Sequence, residues 1–221
     1  MSNNNGFFLH KRYLLILIIV IASVVGLFII YKKVERDQLI QKNKDQFLLH
    51  ANLHGGDLIF RKGRSLASQA VLVTDRSTEY SHVGIVVNTN NQFNVIHAVP
   101  GESESGIDYL INESINSFVA GNKASKIGVY RCTETSFFEL QKIANKAVCL
   151  YKDKVEFDNE YDLSSDRKMY CTELIWKLYK LIDIDLIDNQ FDLLQIPVVG
   201  GDFILPGSFI KSTHLTKIYE F

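Results

Sequence analysis

The chain has 221 residues, of which 47% are hydrophobic and 22% are charged, and its formal net charge is −1. This is the composition of one globular domain with a real core, and it shows no basic excess that would indicate a nucleic-acid partner. Three cysteines are too few, and odd in number, for a disulfide framework. Neither C-x-x-C nor H-E-x-x-H occurs. We therefore predict no metal and no cofactor.

The N-terminus contains a long apolar run. No charged residue occurs from Leu14 to Ile30, and Tyr13 and Tyr31 bracket the run. With the tyrosines it has 19 residues, just enough to cross about 30 Å of hydrocarbon at about 1.5 Å per residue. The alternative is a cleaved signal peptide, but its apolar region is usually about 7–15 residues long and is followed by a small-x-small site. We predict a tail at 1–12 and a transmembrane anchor at 13–31.

The basic residues beside this run allow two orientations. Lys32, Lys33 and Arg36 follow it and two basic residues precede it, so the positive-inside count places the C-terminal part in the cytoplasm. A short basic tail before an apolar run is also typical of an export-type signal anchor, which places that part outside. We expect a single-pass anchor, a polar helical stalk at 32–54 and an extracytoplasmic domain at 55–221.

The domain begins with a pattern of short strands. We predict a strand at Asp57–Phe60 and a short helix at Ser65–Val73, with Ser65 as its N-cap. A β-hairpin follows, with strands at Val83–Val87 and Phe93–Ala98 joined by the polar turn NTNN. Gly84 inside the first strand predicts a bulge or a close approach of other backbone.

The second half alternates between helical and extended patterns. We predict a short helix at Leu110–Ala120, a long strand at Lys126–Arg131, an amphipathic helix at Ser136–Tyr151 and a helix from Met169 or Tyr170 to Leu181. Ser136, with Glu139 three residues on, predicts a capping box at the start of the amphipathic helix. An acidic, aromatic loop at 157–167 precedes the last helix, and the final 40 or so residues are expected to be rich in loops. Together these elements predict an α+β domain, in which helices pack on a small, mostly antiparallel sheet.

Cys171 and two histidines are the candidate site. A thiol attacks as the thiolate, which a helix N-terminus or a nearby imidazole favours. Cys171 lies at the predicted start of the last helix. A hairpin centred on Asn90 sets Val83 opposite His97, one residue from His82, so both histidines are expected near one end of the sheet.

Two other interpretations of these residues remain open. Cys171 shares a helical face with Leu174 and Leu178, where a free cysteine is usually a small core residue. Alternatively, Cys171, His82 and His97 could hold zinc with one open position. The spacings of 15 and 74 residues match no local ligand motif.

Four segments together resemble a known family: GDLIFRKG from Gly56, YSHVGIVV from Tyr80, FNVIHAV from Phe93 and YCTELIWKLY from Tyr170. They are similar to the YiiX-like permuted papain-like hydrolases, relatives of the NlpC-type cell-wall peptidases and the lecithin:retinol acyltransferases. The histidine strand comes 89 residues before the cysteine helix, as expected of circularly permuted members. The resemblance covers about residues 55–206 and implies a circularly permuted papain-like (NlpC-type) fold behind the transmembrane helix.

The resemblance also implies roles for individual residues. Cys171 matches the nucleophile and His82 the general base. His97 falls at the third polar position, where many YiiX-like members carry Glu and the acyltransferase branch carries His. Tyr80 and Tyr170 are candidate substrate or oxyanion contacts, although Tyr80 could simply pack on the sheet.

Three functions compete. The first is a membrane-anchored cysteine hydrolase of amidase or peptidase type, which cleaves an amide or ester in cell-wall peptide or lipid through a Cys171 thioester. The second is a lipid-directed acyltransferase of the same fold, and the third is a non-catalytic envelope module.

Glu173 should point about 200° away from Cys171 on the helix, as a solvated or ion-paired residue. Asp162 and Asp166 are expected to be turn or cap residues.

Overall fold

A computed structural model describes residues 5–90, 92–101, 107–196 and 199–221. The elements in chain order are α1 (Asn5–His50), β1 (Leu58–Gly63), α2 (Leu66–Thr74), β2 (His82–Thr89), β3 (Gln92–His97), β4 (Ile111–Ser114), α3 (Ile115–Phe118), β5 (Ala124–Cys132), α4 (Phe137–Lys152), α5 (Cys171–Lys180), β6 (Asp192–Ile196), β7 (Val199–Phe203), α6 (Pro206–Ile210) and β8 (Leu215–Glu220). The chain divides into two compact units, Met1–Lys42 and Asn43–Phe221.

The N-terminal unit is a single helix that contains the apolar run. Within the part of the chain that the structure describes, α1 is the one helix long and apolar enough to cross a membrane, over Tyr13–Leu48. The apolar side chains of residues 13–31 are exposed, with Leu27 at 68%. All backbone groups of a helix bond internally, which a bilayer core requires. A signal sequence near an N-terminus can also meet this criterion of length and composition.

The second unit is built on a six-stranded antiparallel sheet with the order β4-β3-β2-β1-β5-β8. Helices pack against it, so the predicted α+β class and antiparallel sheet are confirmed. The prediction of a loop-rich C-terminus is wrong. Asp192–Ile196 and Val199–Phe203 form the two-stranded sheet β6-β7, and β8 pairs with β5 at the edge of the main sheet. A mostly exposed edge strand such as β8 has no clear apolar pattern in the sequence. It becomes a strand because it pairs with its neighbour β5.

Apolar side chains cover both faces of the sheet. Val83 and Ile85 of β2 pack with helices α4 and α5 in one cluster, whereas Val86 packs with Phe118 of α3 in a second cluster. A strand buried on both faces is expected to be continuously apolar. This explains why the VGIVV segment shows no polar alternation.

The predicted hairpin is confirmed, but its register differs by one residue. Thr89 pairs with Gln92 and Ile85 with Ile96, so only two residues separate the strands. Asn90 has φ of 54°, the left-handed conformation that two-residue hairpin turns demand and asparagine tolerates. Continuing this ladder sets Gly84, and not Val83, opposite His97.

The predicted helix at Leu110–Ala120 is wrong in its first half. Residues Ile111–Ser114 form the edge strand β4, in which Glu113 pairs with Val95 of β3. Only α3 is helical, and its N-cap Ser114 accepts a hydrogen bond from the N–H of Ser117. Pairing with the hairpin outweighs helix propensity in this short segment.

The helices α4 and α5 begin near the predicted residues. Ser136 Oγ accepts from the Glu139 N–H at 3.2 Å, which confirms the predicted N-cap. Helix α5 begins at Cys171, with Tyr170 as its N-cap residue. Leu174 and Leu178 are buried beneath it, so the helix holds the cysteine at the sheet.

Candidate active site

Two buried histidines meet at one end of the sheet. His82 is the first residue of β2 and His97 the last of β3, and their exposed fractions are 6% and 1%. His82 Nε2 lies 2.9 Å from His97 Nδ1. In the observed register both side chains project to the same face as Gly84. The histidines therefore lie close together as predicted, although the strands pair in a register that differs by one residue from the predicted one.

Gly84 leaves the space that this contact needs. A Cβ at this position would lie 2.4 Å from Val95 Cγ1 and 3.1 Å from His97 Cβ. Distances this short would force the neighbouring strand to move. The close approach of backbone predicted from Gly84 is thus confirmed.

A carboxylate lies beyond His97, on the next strand. Glu113 Oε1 is 3.0 Å from His97 Nε2, and Glu113 Oε2 is 2.7 Å from Lys123 Nζ. Burial raises the pKa of Glu113, but hydrogen bonds from His97, Lys123 and Ser117 outweigh it and hold this pKa well below its ordinary value. Glu113 is therefore ionised at neutral pH. The sequence interpretation missed Glu113 because it assigned residues 111–114 to a helix.

The thiol lies at the N-terminus of α5 and is partly buried. The backbone N–H groups of Val83 and Thr172 lie close enough to the sulfur to lower its pKa. Burial raises the pKa of Cys171, and these N–H groups lower it by less, so the pKa stands above its ordinary value of 9.0. The resting side chain is a neutral thiol, because desolvation outweighs the helix N-terminus that was expected to favour the thiolate.

The thiol and the histidine approach each other from opposite faces of the sheet. Cys171 packs with the α4 and α5 cluster, whereas the His82 and His97 rings lie 5.9 and 5.2 Å from the Phe118 ring of the other cluster. They come together at the end of the sheet where β2 begins, since the sulfur lies at the amide of Val83, the residue after His82. His82 Nε2 faces His97, so a second hydrogen-bond partner of this ring would have to meet Nδ1.

Cys171 and His82 line one cavity of about 640 Å³. This volume is within the range of small-molecule sites. Aromatic side chains form part of its wall, and Phe203 stacks on Tyr170 with ring centroids 4.9 Å apart. Arg61 and Lys123 also line it. The cavity therefore offers both apolar and cationic surface beside the sulfur.

The two predicted tyrosine contacts have different positions. Tyr170 lines the cavity, and its hydroxyl accepts from the Ile204 N–H at 3.0 Å. Tyr80 does not reach the cavity wall, because its hydroxyl donates to Glu220 at 2.6 Å and its ring packs beside Phe60. The structure thus brings Tyr170 to the site and leaves Tyr80 on the sheet.

The acidic residues near the helix are structural. Glu173 is buried, accepts from the Tyr170 N–H at 3.2 Å and lies 3.1 Å from Lys177. The expected ion pair is present, but Glu173 is not solvated, and burial raises its pKa to about 7. Asp162 accepts from the Ser164 N–H at 3.0 Å as a turn residue, and Asp166 pairs with Lys177 at 3.0 Å.

The zinc alternative has no support in the described part of the chain. Within residues 5–90, 92–101, 107–196 and 199–221, no group of three or more His, Cys, Asp or Glu side chains is placed to hold a metal ion. The cysteine and the histidines are arranged as a thiol beside a hydrogen-bonded imidazole pair. That arrangement is suited to proton transfer.

Comparison with known proteins identifies the class. The model of the family described as permuted papain-like amidase enzymes, YaeF/YiiX, C92, matches residues 52–219. This is well over half of the chain, and the chain belongs to this family. The resemblance and the permuted papain-like fold expected from the sequence are thereby confirmed. Membership supports a cysteine hydrolase or amidase kind of function.

Two relatives come from Escherichia coli. The uncharacterized protein YiiX of strain K12 is 31% identical over 129 residues, which are 57% of this chain and 56% of the relative. The match thus spans about half the length of that relative. A crystal structure described as the metalloprotein yiiX from E. coli O157:H7 matches with a TM-score of 0.62 at 22% sequence identity. The match covers 76% of this chain and 97% of the chain in that structure. At that identity the likeness concerns the fold.

Proposed function

We propose that this protein is a membrane-anchored cysteine amidase, with Cys171 as the nucleophile and His82 as the general base. The observation that carries the proposal is the single cavity that Cys171 and His82 both line. The amide of Val83, the residue after His82, is also close enough to the sulfur to lower its pKa. His97, bonded to His82, is the residue that orients the base.

The reaction follows from the protonation states of the two groups. Burial, Arg61 and His97 hold the pKa of His82 well below 6.5, so the resting pair is a neutral thiol and a neutral imidazole. Nδ1 of His82 takes the thiol proton as the sulfur attacks the amide carbonyl. The proton does not leave sulfur before substrate is in place, because neither charged form is favoured in this buried site.

The oxyanion and the intermediate follow the general cysteine-hydrolase scheme. First-turn N–H groups of α5 stabilise the tetrahedral oxyanion, as donors that the helix itself does not use. The protonated His82 gives its proton to the leaving amine, and a thioester forms on Cys171. His82 then takes a proton from water, the resulting hydroxide attacks the thioester, and the proton returns to the thiolate as the carboxylic acid leaves.

The substrate class is an amide or ester of peptide or lipid origin. The cavity accommodates a group of small-molecule size and has an aromatic wall at Tyr161, Tyr170 and Phe203. We further propose the division into a tail (1–12), an anchor (13–31), a stalk (32–54) and an extracytoplasmic catalytic domain (55–221). The length and exposed apolar surface of α1 support the anchor.

Replacement of the thiol tests the proposal. In the full chain in detergent, Cys171→Ser should reduce hydrolysis of fluorogenic N-acyl amides to about 10⁻³ of wild type or less. It should also remove the acyl adduct that mass spectrometry detects on the wild-type protein. Cys149→Ser is the matched control, since Cys149 is exposed on α4, and should retain both. Turnover that survives in Cys171→Ser would refute the nucleophile.

An acyltransferase is the second candidate, because His97 stands where the acyltransferase branch carries histidine. The same thioester would then be resolved by an amine or alcohol in place of water. The mass of the Cys171 adduct and the products separate the two. A fatty acyl adduct that passes to an added amine faster than to water would favour transfer, and release of free acid alone would favour the amidase.

A further inference from the structure

The hydrogen-bond chain at the site does not end at His97. His82 Nε2 lies 2.9 Å from His97 Nδ1, and His97 Nε2 lies 3.0 Å from Glu113 Oε1. The three side chains come from the adjacent strands β2, β3 and β4. They form one continuous chain from the cavity into the edge of the sheet.

The carboxylate determines where each proton lies. An ionised carboxylate can only accept, so His97 Nε2 must carry the hydrogen that it shares with Glu113. A neutral imidazole has a single N–H, and Nδ1 of His97 is therefore an acceptor. His82 Nε2 must then donate to it, which leaves Nδ1 of His82 without a hydrogen.

We propose that Glu113 is a positioning residue that sets the tautomers of both histidines, so that His82 presents a bare Nδ1 to the thiol of Cys171. The inference rests on the proposed function for its catalytic meaning. The tautomers follow from these contacts when both imidazoles are neutral, and burial lowers the pKa of each histidine. In this arrangement the proton acceptor is prepared before substrate binds, with no change of tautomer during the reaction.

Several contacts hold Glu113 in place as an anion. Lys123 Nζ lies 2.7 Å from Oε2, which also accepts from the Ser117 hydroxyl, and Arg61 Nη1 lies 3.5 Å from Oε1. Arg61 is in turn fixed, since it stacks 4.4 Å from the Phe118 ring centre and donates to the Phe118 carbonyl at 3.3 Å. Two cations and a hydroxyl therefore stabilise the charge that the tautomers require.

Glu113→Gln should reverse the donor and acceptor roles along the hydrogen-bond chain from His82 to residue 113. Lys123 Nζ can only donate, so it holds the Gln carbonyl oxygen, and the Gln NH₂ turns toward His97. That NH₂ donates to Nε2 of His97, which must then carry its hydrogen on Nδ1 and donate to His82. His82 would hold its hydrogen on Nδ1, facing the thiol, and could not accept the thiol proton.

Two measurements on the full chain in detergent micelles test the proposal. Long-range ¹H–¹⁵N NMR reports which nitrogen of each histidine is protonated. Wild type should show Nε2–H on both histidines and Glu113→Gln should show Nδ1–H on both. Turnover of the amide substrate should fall about 10²- to 10⁴-fold in kcat, as expected when a general base has the wrong tautomer. KM should change little.

Glu79→Gln is the matched control. Glu79 also pairs with two lysines, Lys62 at 3.3 Å and Lys126, and it is 58% exposed. Glu79→Gln should leave the tautomers of both histidines and kcat unchanged. Wild-type tautomers in Glu113→Gln, or an unchanged kcat, would overturn the proposal.

A second variant covers the case in which Glu113→Gln does not fold. Glu113→Asp keeps the negative charge for Lys123 and Arg61 but withdraws the carboxylate from His97. A purely structural ion-pair role predicts a wild-type kcat, and a positioning role predicts a loss of about tenfold or more.

Cys171→Ser separates this inference from the proposed function, because it should abolish turnover and leave both tautomers as in wild type. Turnover that survives in Cys171→Ser refutes the nucleophile, whatever the tautomers are.

Discussion

At the scale of single residues, burial sets the chemistry of the thiol and the base. Desolvation raises the pKa of Cys171 and lowers that of His82. Burial therefore disfavours both the thiolate of Cys171 and the imidazolium of His82. A pre-formed thiolate–imidazolium pair, as the helix N-terminus alone would suggest, is therefore not the resting state. The site is suited to a concerted proton transfer, in which attack and deprotonation occur together.

These protonation states predict a pH dependence. His82 accepts a proton only when neutral, so kcat/KM must fall as the pH falls through the folded pKa of His82. Burial, Arg61 and His97 hold this pKa well below 6.5, and the acidic limb should accordingly lie below pH 6.5. A profile of kcat/KM from pH 4 to 9 measures it. An acidic limb at or above pH 6.5 would contradict a buried, neutral base.

At the scale of elements, the register of the β2–β3 hairpin decides which side chains meet. Side chains alternate along a strand, so a slip of one residue would move His82 to the opposite face from His97. The two-residue turn after Thr89 and the missing side chain of Gly84 together place the two rings in contact. The site therefore depends on a turn far from the histidines.

Gly84→Ala tests this dependence on packing. The added methyl would lie 2.4 Å from Val95 Cγ1 and 3.1 Å from His97 Cβ, so β3 must shift. We expect a loss of about 1–3 kcal/mol in the free energy of unfolding, measured by urea denaturation, together with reduced turnover. Gly26→Ala is the control, because nothing lies within 4 Å of its Cβ. Equal stability of the two variants would show that β3 accommodates the methyl.

At the scale of the whole molecule, the two units expose different surfaces. The apolar side chains of residues 13–31 in α1 are exposed, as suits hydrocarbon, whereas the apolar side chains of Asn43–Phe221 lie mainly in two clusters on the faces of one sheet. If α1 anchors the domain, as proposed, the domain meets the substrates near the membrane, and the side of the membrane decides which substrates those are.

Cys149 provides a test of that side. It is exposed, whereas Cys132 is buried and Cys171 partly buried. If the domain is extracytoplasmic, a membrane-impermeant maleimide should label Cys149 in intact cells, and Cys149→Ser should abolish most of that signal. Labelling that requires prior permeabilisation of the cells would place the domain in the cytoplasm.

The sequence by itself determined the features that depend on local chemistry. The apolar run, the hairpin and the Ser136 cap follow from neighbouring residues, as does the start of α5 at Cys171. Four short segments, with His82, His97 and Cys171 in that order, were sufficient to indicate the family, because each segment lies largely within one local element. Such features need no knowledge of distant contacts.

Only the tertiary structure decided the features that long-range pairing creates. Glu113 joins the site because β4 pairs with β3, and residues 215–220 become a strand because β5 lies beside them. Tyr80 lies away from the cavity because its hydroxyl bonds to Glu220, 140 residues along the chain. The neutral states of Cys171 and His82 are likewise tertiary, since desolvation depends on what the whole fold places around a side chain.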